Sequence, residues 1–106
     1  MEKKNEITVF EHDNIVTVHL SEKFNFESHS EFRAIYINHE KHTQYILDFS
    51  KVLYIDSSVL GMLLLLREHN VGMHEKGDSH ISIINCGKEV MNIFNVANFP
   101  RLFDIK

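Results

Sequence analysis

Tyr45-Ile46-Leu47-Asp48-Phe49-Ser50-Lys51-Val52-Leu53-Tyr54-Ile55-Asp56-Ser57-Ser58-Val59-Leu60-Gly61-Met62-Leu63-Leu64-Leu65-Leu66 is the stretch that decides how this chain folds. Tyr45 to Leu47 is a continuous apolar run, as expected of a strand buried on both faces, whereas Leu60 to Leu66 is rich in unbranched apolar residues and reads as helix. Asp56-Ser57-Ser58 falls between them, where that helix must begin. The first backbone N–H groups of a helix have no intrahelical partner and carry the positive end of its dipole, so a phosphate esterified to Ser57 or Ser58 would meet donors there. The stretch therefore predicts a strand, a connection, and a helix whose N-terminus is a switch.

Working outward, Ile7 to Glu11 and Ile15 to Leu20 alternate apolar and polar residues across His12-Asp13-Asn14, which predicts an antiparallel hairpin. Glu27 to Glu40 carries Phe32, Ile35, Tyr36 and His39 at helical spacing, with Ser28 or Asn25 available as a cap. Downstream, the helix after the Asp-Ser-Ser turn is expected to run to about Met73, and Gly77-Asp78 breaks the pattern. Ile81 to Ile84 reads as another buried strand, so strand, helix and strand predict a parallel, right-handed crossover. A last helix from Lys88 places Val90, Ile93, Phe94 and Ala97 on one face, Phe99-Pro100 ends it, and Leu102 to Ile105 fits a short edge strand. The expected fold is α/β: a small mixed sheet of four to five strands packed against three to four helices, one domain over residues 1–106.

With 106 residues, one Pro and four Gly, the chain has room for one core, and 43% apolar composition suffices to fill it. The lone Cys86 has no second cysteine for a disulfide or a metal site, which points to a reducing compartment, the cytosol. The charged start Met1-Glu2-Lys3-Lys4-Asn5-Glu6 lacks the apolar segment of a secretion signal, and no apolar run approaches a bilayer span, so no membrane insertion is expected. A net charge of -4, from 11 basic and 15 acidic residues without a Lys/Arg stripe, argues against a nucleic-acid partner and for a protein one. The eight histidines include no His-x-x-x-His pair. His39 and His42 lie three apart but straddle a predicted helix end, so no metal site or cofactor is expected.

The order of elements, with Asp48-Phe49-Ser50-Lys51-Val52 leading into Ile55-Asp56-Ser57-Ser58-Val59-Leu60-Gly61, resembles the STAS family, in particular bacterial anti-sigma factor antagonists. Asn85-Cys86-Gly87-Lys88-Glu89-Val90 opening a helix, and Phe94 to Phe99 before Leu102-Phe103-Asp104-Ile105, look like that family's closing helix and terminal strand. In the family pattern the hydroxyl directly after the Asp is phosphorylated, which transfers to Ser57, with Ser58 the second candidate. Val59 stands where the family usually has Gly and is expected to set a branched side chain beside the modified hydroxyl. The loop Ser21-Glu22-Lys23-Phe24-Asn25-Phe26 replaces one in which the family often has Gly and Asp.

Helix capping is the plain alternative for the two serines, since Asp and Ser at a helix start satisfy free N–H groups for about 1 kcal/mol each. Capping is expected to account for one of them, and two hydroxyls behind an Asp exceed what a cap needs. Asp56 itself is read as orienting the Ser57 hydroxyl; without metal-binding companions it is a weak sign of catalysis. Most of the leucines from Leu60 to Leu66 must be core, with Leu60 expected to stay exposed near the switch. The expected partner-binding surface is Asp56, Ser57, Ser58, Val59 and Leu60, with Asn25 from the loop before the first helix. A phosphate brings a charge of about -1.5 to -2, and desolvating it against an apolar partner costs about 3 kcal/mol, roughly a hundredfold in affinity.

These residues predict a non-enzymatic binding module whose unphosphorylated form captures a serine kinase or anti-sigma-type partner. The resemblance implies that the ATP-binding kinase domain lies in that partner and that a PP2C-type phosphatase resets the switch. One rival is a STAS subunit of a membrane lipid ABC transporter whose hydroxyl is never phosphorylated. Another is a small hydrolase with Ser57 as nucleophile, although no spacing identifies the His and acid partners it would need.

Overall fold

The computed structural model describes residues 6–71 and 80–106, so the expected helix end at Met73, the break at Gly77-Asp78 and His74 lie outside the described residues. Strands β1 (Thr8–His12) and β2 (Ile15–His19) form the predicted antiparallel hairpin. His12 pairs with Ile15, leaving a two-residue loop. Asp13 and Asn14 occupy it with φ of 52° and 64°. Two left-handed residues in succession give the turn whose twist matches that of the flanking strands, and Asp and Asn tolerate that region better than most residues.

After β2 the chain enters a 3-10 turn, Phe26–Ser28, and then α1 (His29–Tyr36), shorter than the helix expected from Glu27 to Glu40. Strand β3 (Gln44–Asp48) leads to α2 (Ser57–Val71), β4 (Ile81–Ile84), α3 (Lys88–Val96), a second 3-10 turn (Phe99–Arg101) and the two-residue β5 (Asp104–Ile105). The sheet order is β1-β2-β3-β4-β5. β2, β3, β4 and β5 pair in parallel, so only the hairpin is antiparallel. The mixed five-stranded sheet with three α-helices is the fold class expected.

Register explains the core. Val16, Tyr45 and Ile81 lie in one row across the three central strands, and Val18, Leu47 and Ile83 in the next. All six are buried. Phe32 and Tyr36 of α1, Val59, Met62, Leu63 and Leu66 of α2, and Val90 and Phe94 of α3 join them in one cluster. Because strand side chains alternate between faces, the opposite face holds Thr17, Ile46 and Ser82 in one row, and all three are only half-buried. This corrects the expectation that β3 is buried on both faces. The apolar run Tyr45 to Leu47 reflects two core residues flanking Ile46, not a second helical layer.

The path from β3 to α2 is anchored at three points that set up the site. Phe49, Val52 and Ile55 are buried. Phe49 N–H donates to the Ile84 carbonyl at 2.9 Å, and Val52 N–H to the Phe49 carbonyl at 2.9 Å. Asp48, only 9% exposed, ends β3 by accepting from Ser50 N–H at 2.9 Å and from the Asn85 side-chain amide at 3.1 Å, while His19 Nδ1 lies 3.1 Å from its other oxygen. Burial works against the charge of this carboxyl. The bonds from Ser50 and Asn85 and the nearby His19 outweigh it and hold the pKa below the ordinary aspartate value.

Candidate functional site

Asp56, the residue before α2, is its N-cap. Its Oδ1 accepts from Val59 N–H at 3.2 Å and from the Ser58 hydroxyl at 2.5 Å, and its Oδ2 accepts from Phe26 N–H at 3.4 Å. The Ser58 hydroxyl, then the backbone N–H groups of Phe26, Val59 and Ser58, overcome partial desolvation and lower the Asp56 pKa, so the carboxylate is ionised at neutral pH. One side chain thus closes the helix start and ties it to the segment before α1.

The two serines have different fates. Ser58 is half-buried with its hydroxyl committed to Asp56. Ser57 is exposed at the first position of α2, and its hydroxyl has no hydrogen-bond partner among the described residues. The expectation that Asp56 orients Ser57 is therefore corrected: the carboxylate holds Ser58. Capping, expected of one serine, falls to Asp56 itself. The helix-start donors imagined for a phosphate are also partly taken, since Val59 N–H already serves Asp56. A phosphate on Ser57 would stand beside an ionised carboxylate, and like-charge repulsion would turn it outward.

Val59 is fully buried, at 0% exposure, and lies in the core rather than on the surface where it was expected. Two residues beyond Ser57 on a 3.6-residue helix, its side chain turns to the opposite side from Ser57, so it adds no bulk beside that hydroxyl. Leu60 is half-buried, packed against the core rather than exposed. Asn25 is half-buried and caps the 3-10 turn, its Oδ1 accepting from Glu27 N–H at 2.9 Å. Ser28 completes a capping box by accepting from Asn25 N–H at 3.3 Å. Asn25 therefore reaches the site indirectly, by setting the position of Phe26.

The most exposed apolar residues near Ser57 are ones the sequence reading did not single out. Phe26, Leu53 and Tyr54 are 68%, 71% and 68% exposed. Leu53 and Tyr54 sit between the buried anchors Val52 and Ile55, which force them outward, and Phe26 is held to Asp56 through its N–H. The signal in the sequence was the pattern Val52-Leu53-Tyr54-Ile55: four apolar residues in an irregular connection cannot all face one core. Exposed apolar side chains mark interaction surfaces where they adjoin in one patch.

Among the described residues no histidine hydrogen-bonds Ser57, and no group of three His, Cys, Asp or Glu side chains could hold a metal ion. His39 instead pairs with Glu11, and the rings of His42 and His80 meet edge to face at 5.3 Å. Burial pushes the half-buried Cys86 thiol up to about 11, leaving it neutral and unreactive at physiological pH. Among the described residues no helix is long and apolar enough to cross a membrane.

Comparison with known proteins agrees with this architecture. The crystal structure of a protein from Thermotoga maritima described as a candidate anti-sigma factor antagonist superposes with a TM-score of 0.74, covering 93% of this chain and 84% of that one. At 17% identity that likeness establishes the fold. A STAS-domain containing protein of Pseudomonas aeruginosa (strain UCBPP-PA14) is 38% identical over 91 residues, 85% of this chain and 86% of that protein. The model of the STAS domain matches residues 6–106. The chain belongs to the STAS-domain family.

Proposed function

We propose that this chain is a phosphorylation-switched protein-binding module of the anti-sigma factor antagonist kind. Its unphosphorylated form binds a serine kinase or anti-sigma-type partner and is released when Ser57 is phosphorylated. The observation that carries this reading is the contrast between the serines: Ser57 presents an exposed hydroxyl at a helix start with no hydrogen-bond partner among the described residues, whereas Ser58 is tied to Asp56. A kinase acting on the folded domain reaches the former without breaking a bond. The description of the Thermotoga maritima neighbour points to the same class of partner.

The exposed Phe26, Leu53 and Tyr54 supply the apolar contact area, and the serine supplies the control. A dianion arriving beside these side chains must be desolvated when the partner closes over it. Phosphate groups lost to a PP2C-type phosphatase would restore binding.

The test is phosphosite mapping joined to partner capture. The domain recovered from cells together with its kinase is expected to carry phosphate on Ser57 and none on Ser58, as read by mass spectrometry. Ser57→Ala bait is expected to retain an ATP-binding protein that Ser57→Glu bait releases. Phosphate on neither serine, or equal capture by both baits, contradicts the switch.

A further inference from the structure

The solvent side of α2 continues beyond Ser57 in a pattern that the proposed partner contact through Phe26, Leu53 and Tyr54 does not use. Its exposed residues are Ser57, Gly61, Leu64, Leu65 and Glu68. At about 100° of rotation per residue they form one stripe along three turns. Leu64 and Leu65 are 41% and 46% exposed. No atom lies within 4 Å of the point where a Gly61 side chain would begin, which leaves a notch in the stripe. Positions 57, 61, 64 and 68 are spaced four, three and four apart, the spacing of a seam along which two helices pack.

The seam is complementary to itself when reversed. An antiparallel second copy of α2 puts Glu68 opposite Ser57 and Leu64 opposite Gly61. A two-fold contact requires that if one residue meets another, the reverse pair also forms. Each half of this seam then seats a leucine in a glycine notch and sets a hydroxyl donor against a carboxylate.

We propose that the exposed stripe of α2 is a contact surface for a second copy of this chain, an antiparallel α2 to α2 homodimer that phosphorylation of Ser57 opens. A phosphate on Ser57 would face the Glu68 carboxylate of the other copy, at both ends of the seam at once. Only this regulation rests on the switch reading; the self-association does not. Three turns bury less than the roughly 800 Å² per partner of a standard interface, so the dimer is weak, with a Kd of about 0.1–1 mM. It masks Ser57 and so competes with the kinase where the chain is locally concentrated.

Sedimentation equilibrium of the full chain from about 10 µM to about 1 mM tests this. The wild type is expected to show a monomer–dimer equilibrium, and Leu64→Lys to remain monomeric throughout. Ser57→Glu is expected to weaken association at least about tenfold, and combining it with Glu68→Lys to restore it, because opposite charges then meet across the seam. These side chains are exposed, and circular dichroism checks that each variant folds. A wild type that stays monomeric at about 1 mM, a dimer indifferent to Leu64→Lys, or a double variant no stronger than Ser57→Glu overturns the proposal. If Ser57 is never phosphorylated in cells, the switch reading falls while a charge-sensitive dimer still supports the contact.

Discussion

Asp56 is the residue on which the proposed switch site is built, because one carboxylate caps α2, holds Ser58 and tethers Phe26. Asp56→Ala is expected to cost about 1–2 kcal/mol of stability, the upper range for a lost helix cap, in urea denaturation followed by circular dichroism. Ser57→Ala, which removes no hydrogen bond, is expected to change stability by less than about 0.5 kcal/mol. The Asp-Ser-Ser signature pointed to the proposed site and the family resemblance put Ser57 ahead of Ser58, but the residues alone did not separate the two serines. That choice depends on which hydroxyl the Asp56 carboxylate captures, a matter of side-chain geometry. Val59 was misplaced for a related reason: adjacency in sequence suggested proximity to Ser57, whereas helical rotation sends it into the core. Val59→Ala should therefore destabilise the fold by about 1–2.5 kcal/mol and leave partner affinity unchanged under conditions where the variant is fully folded.

At the scale of elements, the hairpin, β3, α2, β4 and α3 were legible because each shows a clear period or a turn signal. The start of α1 was not, since Asn25 and Ser28 cap a 3-10 turn before the helix proper. The covering of β3 was also misread: an apolar run signals burial but does not reveal how many faces a sheet hides. The connection from β3 to α2 shapes the proposed contact surface, with Val52 and Ile55 pinned and Leu53 and Tyr54 projected. Replacing Leu53 and Tyr54 together by Ser is expected to weaken partner binding at least about tenfold in calorimetric titration while stability changes by less than about 1 kcal/mol, since neither side chain belongs to the core. Asp48 anchors the other end of this connection. Its folded pKa lies below its unfolded value near 3.8, so its ionised form contributes stability above that pH, and this contribution is lost as pH falls through the folded pKa. Asp48→Asn is expected to flatten the stability profile in that acid range, measured by thermal unfolding at a series of pH values. An unchanged slope would show that the bonds to Ser50 and Asn85 do not favour the charge.

Over the whole molecule, the three central parallel strands β2, β3 and β4 share one C-terminal edge, and Asp48, Asn85 and the connection leading to Ser57 all lie there. A switch at that edge sits on residues whose backbones the core already fixes, so changing one side chain's charge need not reshape the domain. Negative charge at a helix N-terminus is stabilising by about 0.3–1 kcal/mol, and the neighbouring Asp56 carboxylate opposes that gain, so modification leaves the fold nearly as stable as before. The effect must then appear in association. The decisive measurement is the affinity of the purified partner for this chain with Ser57 unmodified and with Ser57 fully phosphorylated, by isothermal titration at one ionic strength. Phosphorylation is predicted to weaken binding by about a hundredfold, near 3 kcal/mol, with no change in the domain's circular dichroism. Equal affinities for the two forms would contradict the switch.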